Sequence, residues 1–257
     1  MTDIHSTAIV DPGAELGDSV VVGPYCIVGP HVKLGEGTRL MSHVCVDGWT
    51  TMGRECTVFP FAHIGGQTQD LKFKGGAPRL EVGDRTTLRE CVTLNTATND
   101  GDVTRVGSGC HIMAYAHVAH DCVVGNHVIM ANGVALAGHV TVEDDAIIGG
   151  LSGAHQFVRI GRMSIMGGCT KAVKDVPPFM MADGNPLEIH SPNTVGLERH
   201  GISEEVQRQL KEAYKMLYRQ KLSTRQALEK IEAELAMSPE MLYLVNFIKG
   251  SERGITK

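Results

Sequence analysis

The feature that most constrains this chain is a repeat with a period of six residues. From Ile4 to Ala172 every sixth residue is aliphatic, apart from two interruptions in the frame. The residue four positions after each aliphatic residue is small or β-branched, and the residue directly after it is often glycine. A period of six fits neither the 3.6-residue period of an α-helix nor the two-residue alternation of a simple strand. It is typical of a solenoid in which three hexads form one triangular coil of short parallel strands.

The repeat also predicts where each side chain lies. The aliphatic residue points into the prism and the small residue fills the space beside it, so cysteines in that slot are predicted to be packing residues. They are Cys26, Cys56, Cys110 and Cys122. We expect the glycine after the aliphatic residue to relieve the corner by adopting a positive φ. Residues three hexads apart are expected at the same point of successive coils, about 5 Å apart.

Composition excludes several classes of function. A formal net charge of -5 over 257 residues argues against general nucleic-acid binding. No run approaches the roughly 18 apolar residues of a membrane span, and residues 1–5 lack the features of a signal peptide. The seven cysteines include no CxxC pair, so neither a zinc site nor a disulfide framework is indicated. We therefore expect a cytoplasmic protein.

The two interruptions and the end of the repeat divide the chain. Polar loops near residues 67–81 and 99–105 break the frame, and the first contains Asp70 and Lys72. Loops that interrupt a regular solenoid often carry binding groups; the alternative is a tolerated surface insertion. Two prolines at 177–178 end the repeat, and the segment up to residue 192 is interpreted as a connection. We predict a β-helix domain over 1–192 and a small helical domain over 193–257.

The helical domain is predicted from a change of period. Apolar residues recur at helical spacing from Val206 and Leu210 onward. Ser223 and Ser238 are predicted N-caps of two further helices, and Gly250 is predicted to end the last one. The first helix carries a basic stripe that is either an ordinary solvated face or a dock for an acidic partner. The stripe consists of Arg208, Lys211, Lys215 and Arg219.

The chemistry is predicted at the stretch AHVAHDC, residues 116–122. Coil spacing places His120 beneath Gly138 and then Gln156, and Asp121 beneath His139. His117 and His155 are expected at the same edge of the prism. A single histidine is usually structural, but a cluster assembled by the coil spacing favours a functional site.

The residue types in this cluster favour acyl transfer. His120 is the predicted general base, because histidine with a pKa of about 6.5 is largely neutral at neutral pH. Asp121 is predicted to orient it, and the Gly138 backbone N–H to stabilise an oxyanion. A zinc site of the kind found in hexapeptide-repeat carbonic anhydrases, and a purely structural solenoid, are the less favoured alternatives. No metal or cofactor is expected.

The chain resembles the UDP-N-acetylglucosamine O-acyltransferases that begin lipid A synthesis. The resemblance spans nearly the whole chain and rests on the order and spacing of motifs. They are GPYCIVGPHV (23–32), QDLK (69–72), GDR (83–85), AHVAHDC (116–122), LAGHV (136–140), HQF (155–157), GGC (167–169), DVPP (175–178) and GN (184–185).

This resemblance implies a left-handed parallel β-helix, a homotrimer with sites between prisms, and a reaction. The chain would transfer a (3R)-3-hydroxyacyl group from acyl carrier protein to the sugar 3-position, with His120 as base and Gly138 as oxyanion donor. The basic stripe would dock the carrier protein. Gly168 would set acyl length, leaving room for chains longer than ten carbons. The implied substrate-contacting residues are Asp70, Lys72, His117, His139, His155, Gln156, Asn193 and Arg199.

Some positions depart from the family pattern. Residues 95–98 read Asn-Thr-Ala-Thr in place of His-Arg-Gly-Thr, Val195 replaces a glutamate and His200 replaces an arginine. These departures suggest the hypothesis that the acceptor is the 3-amino analogue of the sugar. The rivals are the lipid A pathway N-acyltransferase, which normally carries an extra N-terminal domain, and a CoA-dependent acetyltransferase, which would not need the helical tail.

Overall fold

Three sheets, named A, B and C and parallel except for the last strand of sheet A, wind around one core in the computed structural model, which describes residues 1–257. Sheet A contains β1 (Asp3–Ile4), β4 (Val21–Val22), β7 (Arg39–Leu40), β10 (Thr57–Val58), β13 (Thr87–Leu88), β16 (His111–Ile112), β19 (Ile129–Met130), β22 (Ile147–Ile148), β25 (Ile165–Met166), β27 (Met180–Asp183) and β28 (Glu188–Pro192). Sheet B contains β2 (Ile9–Val10), β5 (Ile27–Val28), β8 (Cys45–Val46), β11 (His63–Gly66), β14 (Thr93–Asn95), β17 (His117–Val118), β20 (Ala135–Leu136), β23 (Gly153–Ala154) and β26 (Lys171–Ala172). Sheet C contains β3 (Glu15–Leu16), β6 (Lys33–Leu34), β9 (Trp49–Met52), β12 (Arg79–Val82), β15 (Val103–Val106), β18 (Val123–Val124), β21 (Thr141–Val142) and β24 (Arg159–Ile160).

From β1 to β26 consecutive strands belong to different sheets, so the chain visits A, B and C in turn, as three hexads per coil predict. His117 pairs with Ala135, and Ala135 with Gly153, at the predicted coil spacing. The register continues across both interruptions, because Val82 pairs with Met52 and with Val106. Each inserted loop is thus accommodated within one coil.

The core is the column of inward-pointing residues. The aliphatic frame residues from Val22 to Ala172 are buried, and so are the four cysteines that the repeat assigned to the small slot. Burial raises the pKa of the Cys122 thiol to about 12 and that of Cys110 to about 11, so these thiols are inert packing groups at neutral pH. Their predicted packing role is confirmed.

The prediction that the glycine after the frame residue adopts a positive φ is wrong for most coils. Positive φ instead occurs three positions after the frame residue, where the residue is usually not glycine, as in Tyr25, Asp121 and His139. The glycines are needed for a different reason, because successive coils approach closely there. A Cβ added to Gly107 would lie 2.4 Å from the carbonyl oxygen of Gly125.

The segment predicted as a connection also differs. β27 pairs in parallel with β25 and adds a further strand to sheet A, and β28 returns antiparallel to β27. Alternate residues of β27 are buried, a two-residue period that begins after the two prolines with which the six-residue repeat ends.

Four helices follow: α1 (Thr194–Arg199), α2 (Glu204–Tyr218), α3 (Thr224–Glu234) and α4 (Pro239–Lys249). Ser223 forms the predicted capping box with Gln226, Ser238 caps α4, and Gly250 ends it. The short helix α1 was not predicted, because six residues are too few for a periodic signal. None of the four helices combines the length and the apolar character needed to cross a membrane.

Candidate active site

The turns between sheets form three long edges of the prism. We name each edge by the sheets that it joins in chain order: A–B, B–C and C–A. Both interruptions of the repeat leave from sheet B, after β11 and after β14, and rejoin at sheet C. His120 and Asp121, between β17 and β18, and His139, between β20 and β21, lie on this same B–C edge. The polar loops and the predicted catalytic cluster therefore share one edge.

His120 and Asp121 are in direct contact. His120 Nδ1 lies 2.7 Å from Asp121 Oδ2, and the two side chains are only 15% and 10% exposed. Asp121 turns back towards its neighbour because its backbone is left-handed, with φ of 60°. The carboxylate accepts a hydrogen bond from Nδ1–H, which favours the tautomer with an unprotonated Nε2.

Gly138 lies directly against the ring of His120. A Cβ at this position would be 2.5 Å from His120 Nε2, so only glycine lets the ring lie over this backbone. The Gly138 N–H donates no hydrogen bond within the chain. A proton-accepting nitrogen and a free backbone donor are therefore adjacent, as the coil spacing predicted.

His139 completes the contact group one coil further on. Its Nε2 lies 3.7 Å from Asp121 Oδ2, and its ring meets that of His120 edge to face. On the next coil Phe157 stacks on His139 with ring centroids 4.7 Å apart. Phe157 was not among the predicted site residues, although the coil spacing from His139 would have found it.

Both inserted loops are connected to Asp121. Thr98 donates its backbone N–H to Asp121 Oδ1 at 3.5 Å, and its hydroxyl lies 3.0 Å from that of Thr68. Thr104 accepts the Asp121 backbone N–H at 2.8 Å. The Thr98 contact crosses the second insertion, where constant coil spacing no longer predicts neighbours.

The first loop orders Asp70 and leaves Lys72 exposed. The Asp70 N–H donates to Thr68 at 3.1 Å, and Asp70 Oδ1 accepts the Lys72 N–H at 3.0 Å. The Lys72 ammonium forms no salt bridge in this chain. Thr68 thus links Asp70, through Thr98, to the His120–Asp121 pair.

A groove of about 530 Å³, which we call the sheet-B groove, crosses the outer face of sheet B. His117 and His155 line it near the B–C edge, and Leu151 and Cys169 line it at the A–B edge. Its floor leaves room for a ligand, because Ala135 and Gly153 carry little or no side chain there. Gly168 adjoins the groove through Cys169 but is not one of its lining residues.

The two flanking histidines differ in their surroundings. His117 Nδ1 lies 2.7 Å from the Thr93 hydroxyl, and burial, followed by the nearby His120, lowers the pKa of His117. His155 is exposed and lies 3.4 Å from Arg253 of the C-terminal segment, and its neighbour Gln156 is exposed as well. His117 is therefore held in its neutral form.

His120, Asp121 and His139 are also a possible metal-binding group, with potential ligand atoms within 4.8 Å of one another. A metal would have to replace the short bond between His120 Nδ1 and Asp121, unless it used the Nε2 that faces Gly138. The donor set is small and one nitrogen is already committed, so it fits a hydrogen-bonded pair better than a metal centre. The expectation of no metal stays a prediction.

Asn193 and Arg199 do not join this cluster within one chain. Asn193 is buried as the N-cap of α1, accepts from the Gly196 N–H and donates to the Met163 carbonyl at 2.8 Å. Met163 belongs to the C–A edge, between β24 and β25. Arg199, at the end of α1, is exposed at that edge, where its neighbour His200 meets Asp145.

Two of the four cations in the basic stripe on α2 are paired with glutamates of the same helix. Arg208 pairs with Glu205, and Lys215 pairs with Glu212 at 2.6 Å. Arg219 donates to the Tyr214 hydroxyl at 2.9 Å, and Lys211 forms no salt bridge. The sequence spacing identified the cations but not the interleaved glutamates that oppose them.

Family comparisons agree with this geometry. The model of "UDP N-acetylglucosamine O-acyltransferase; domain 2" matches residues 175–256, and the bacterial transferase hexapeptide model matches residues 104–138. The chain is 49% identical to the acyl-[acyl-carrier-protein]–UDP-N-acetylglucosamine O-acyltransferase of Thermodesulfovibrio yellowstonii and covers 100% of both chains. It is 45% identical to the enzyme of that name from Herminiimonas arsenicoxydans, again over 100% of both.

Solved structures give the same result. LpxA from Acinetobacter baumannii is 44% identical, with a TM-score of 0.95 over 99% of both chains. LpxA from Bacteroides fragilis, a UDP-N-acetylglucosamine acyltransferase, is 37% identical, with a TM-score of 0.96 over 98% of this chain and 99% of that one. This similarity confirms the predicted fold class, a left-handed parallel β-helix followed by a small helical domain.

Proposed function

This chain belongs to the family of UDP-N-acetylglucosamine O-acyltransferases, and from that premise we propose its reaction and the residues that perform it. It transfers a (3R)-3-hydroxyacyl group from acyl carrier protein to the 3-position of UDP-N-acetylglucosamine, the first step of lipid A biosynthesis. The full-length identity to acyltransferases of this name supports the reaction. The contact of His120 with Asp121 and Gly138 is the structural observation that carries the mechanism.

His120 acts as the general base. Its Nδ1 is held by Asp121, so Nε2 takes the proton from the sugar 3-hydroxyl as that oxygen attacks the thioester carbonyl. The carbonyl oxygen becomes an oxyanion, and the free N–H of Gly138 is suited to donate to it. Collapse of the intermediate expels the carrier thiolate, which recovers the proton from His120.

The sheet-B groove supports the assignment of the acyl site. It begins near His117 and ends at Leu151 and Cys169, so an acyl chain attached near His120 could lie across sheet B. We keep Gly168 as the residue that sets acyl length and expect chains longer than ten carbons, because glycine leaves the A–B end open. A clear preference for ten carbons in an acyl-length series would contradict this.

We propose a homotrimer in which neighbouring chains complete each site. Asn193 and Arg199 lie at the C–A edge, whereas His120 lies at the B–C edge. These residues can bind one sugar nucleotide together with Asp70, Lys72, His139 and Gln156 only if the edges of two chains meet. Carrier-protein docking on the α2 stripe stays a prediction, and the seven free thiols support a cytoplasmic location.

The acceptor is either the 3-hydroxyl sugar nucleotide or its 3-amino analogue. Residues 95–98, which differ from the family pattern, are buried, and Thr98 contacts Asp121. Their most direct effect is therefore on the packing around the general base. We therefore retain the 3-hydroxyl sugar as the acceptor and the 3-amino analogue as the alternative. The experiment is transfer from 3-hydroxyacyl carrier protein to each sugar nucleotide. Faster turnover on the 3-hydroxyl sugar is expected. A large excess on the amino analogue would reverse the assignment, and no transfer to either would refute it.

A further inference from the structure

Two side chains fix the short helix α1 to the C–A edge of the prism, one at each end of the helix. At its start, the buried Asn193 donates to the Met163 carbonyl at 2.8 Å. At its end, His200 Nε2 lies 3.3 Å from Asp145 Oδ1. Asp145 and Met163 each stand two residues before the paired strands β22 and β25, so they occupy the same slot of adjacent coils. The helix is therefore held against two successive turns of this edge.

Both ring nitrogens of His200 face hydrogen-bond acceptors. Nε2 meets the Asp145 carboxylate, and Nδ1 lies 2.9 Å from the Gly196 carbonyl oxygen in the last turn of α1. A neutral imidazole carries one N–H and can donate to only one of these groups, whereas the imidazolium donates to both. A positive charge at this position also favours the exposed carbonyl end of the helix. Both contacts can therefore form as hydrogen bonds only when His200 is protonated.

The charge of His200 is balanced by Asp145, the one charged residue in contact with it. The two side chains are 39% and 19% exposed, so the ring can exchange its proton with water while the pair is partly shielded. The other charged or titratable residues nearby in the chain or on the adjoining C–A turns are Glu198, Arg199, Glu204, His127, Asp144 and Arg162.

A second contact between the same turn and the helical domain keeps its proton throughout the neutral range. Glu143, two residues before Asp145, accepts a hydrogen bond from the Tyr243 hydroxyl of α4 at 2.9 Å. Burial, followed by the charge of Glu143, raises the pKa of Tyr243 to about 12. The helical domain is therefore held at α4 at any pH near neutrality, whereas its contact at the end of α1 depends on the protonation of His200.

We propose that His200 is a positioning residue for the acceptor, an inference that rests on the proposed function. Its imidazolium fixes the end of α1, where Arg199 forms no salt bridge within the chain. In the proposed trimer, Arg199 contacts the sugar nucleotide bound at His120 of a neighbouring chain. Histidine loses its proton near neutral pH, and the neutral ring keeps only one of its two hydrogen bonds. Arg199 is then less firmly placed, and the sugar nucleotide binds less tightly.

The test is the pH dependence of KM for the sugar nucleotide, measured from about pH 6 to about pH 9 with the acyl donor at saturation. In the unsubstituted enzyme KM should rise by up to about fivefold over this range, the change that corresponds to a partly exposed ion pair. His200→Arg introduces the arginine of the family pattern, which stays charged, and should reduce this rise. His200→Ala should have the high KM at every pH.

The comparison with His200→Arg isolates the contribution of His200, because the other histidines titrate in both proteins. The matched control is Tyr243→Phe, which removes the contact of α4 with Glu143 and should leave the pH dependence of KM unchanged.

Three results would overturn the proposal. Identical pH profiles of KM in the unsubstituted enzyme and in His200→Arg would show that protonation of His200 does not place Arg199. An equal change in KM for the acyl donor, or the same altered profile in Tyr243→Phe, would assign the contact to general attachment of the helical domain. Absence of transfer at every pH in the unsubstituted enzyme would refute the proposed function, and this inference with it.

Discussion

The A–B and B–C edges of the prism are built on one backbone and carry opposite chemistry. Positive φ recurs at the same slot on both, at Tyr25 and Leu151 on the A–B edge and at Asp121 and His139 on the B–C edge. The A–B edge presents exposed apolar residues and follows the repeat without insertion. The B–C edge has both inserted loops and the histidine cluster. The repeat therefore specifies the backbone, and the turn residues are free to specify function.

The largest expected difference between the edges is catalytic. His120→Ala should lower kcat about 10²–10⁴-fold, the usual contribution of a general base, with little change in KM. The measurement is steady-state transfer to UDP-N-acetylglucosamine. His43→Asn is the control on the A–B edge, where His43 stacks between Tyr25 and Phe61. It should leave kcat unchanged, and equal losses in both variants would contradict the division between the edges.

Asp121→Asn should lower kcat about 10²-fold, because an amide no longer holds the His120 tautomer as a carboxylate does. Asparagine tolerates the left-handed backbone at this position, so the fold should persist. The expected split is a lower kcat with an unchanged KM for the sugar nucleotide. An unchanged kcat would show that the 2.7 Å contact with His120 has no catalytic role.

Both edges share the close stacking of successive coils, which can be tested by measuring the free energy of unfolding. Gly107→Ala would force a Cβ to within 2.4 Å of the Gly125 carbonyl, so the free energy of unfolding should fall by about 1–3 kcal/mol. The control is Gly153→Ala, whose nearest non-neighbouring atom would be 3.8 Å away. Denaturant unfolding of both variants measures the difference. Equal stabilities would contradict the close approach of coils as the reason for glycine.

The smallest expected effect is a pH dependence of the protein's stability that arises from His117, near the B–C edge. Its folded pKa is lowered by burial and by His120, so the unfolded state binds the proton more readily. The contribution is therefore fully present above the unfolded pKa of about 6.5 and is lost as pH falls below it. Melting temperatures from pH 7.5 to 5 should fall less steeply in His117→Asn. Parallel curves would refute the contribution.

The sequence predicts contacts between regular coils better than contacts across the insertions, because only regular coils have a constant spacing. Constant coil spacing brought His120 to Gly138 and Asp121 to His139, and it extends to the stacking of Phe157 on His139. It does not extend to Thr98, whose contact with Asp121 crosses an insertion. Coil spacing also says nothing of the proposed approach of Asn193 from one chain to His120 of another, because symmetry between chains leaves no periodic signal in one sequence.

Two further differences follow from local chemistry. The predicted positive φ of the repeated glycine is wrong for most coils. The close approach of backbones in adjacent coils explains the glycine instead, and this approach depends on how the coils stack. The spacing of cations alone predicts the basic stripe on α2, but Glu205 and Glu212 oppose two of its charges. Charge patterns predict a binding surface only when both signs are counted on the same face.

In the proposed mechanism His120, on the B–C edge, accepts the proton of the sugar hydroxyl during acyl transfer. The most direct measurement is rescue of His120→Ala by added imidazoles of different basicity, with the wild-type donor and acceptor at saturation. The rate of the variant should rise with the concentration of free imidazole base and with its basicity. A His120→Ala variant with wild-type kcat, or a residual rate that is flat across the imidazole series, would contradict the claim.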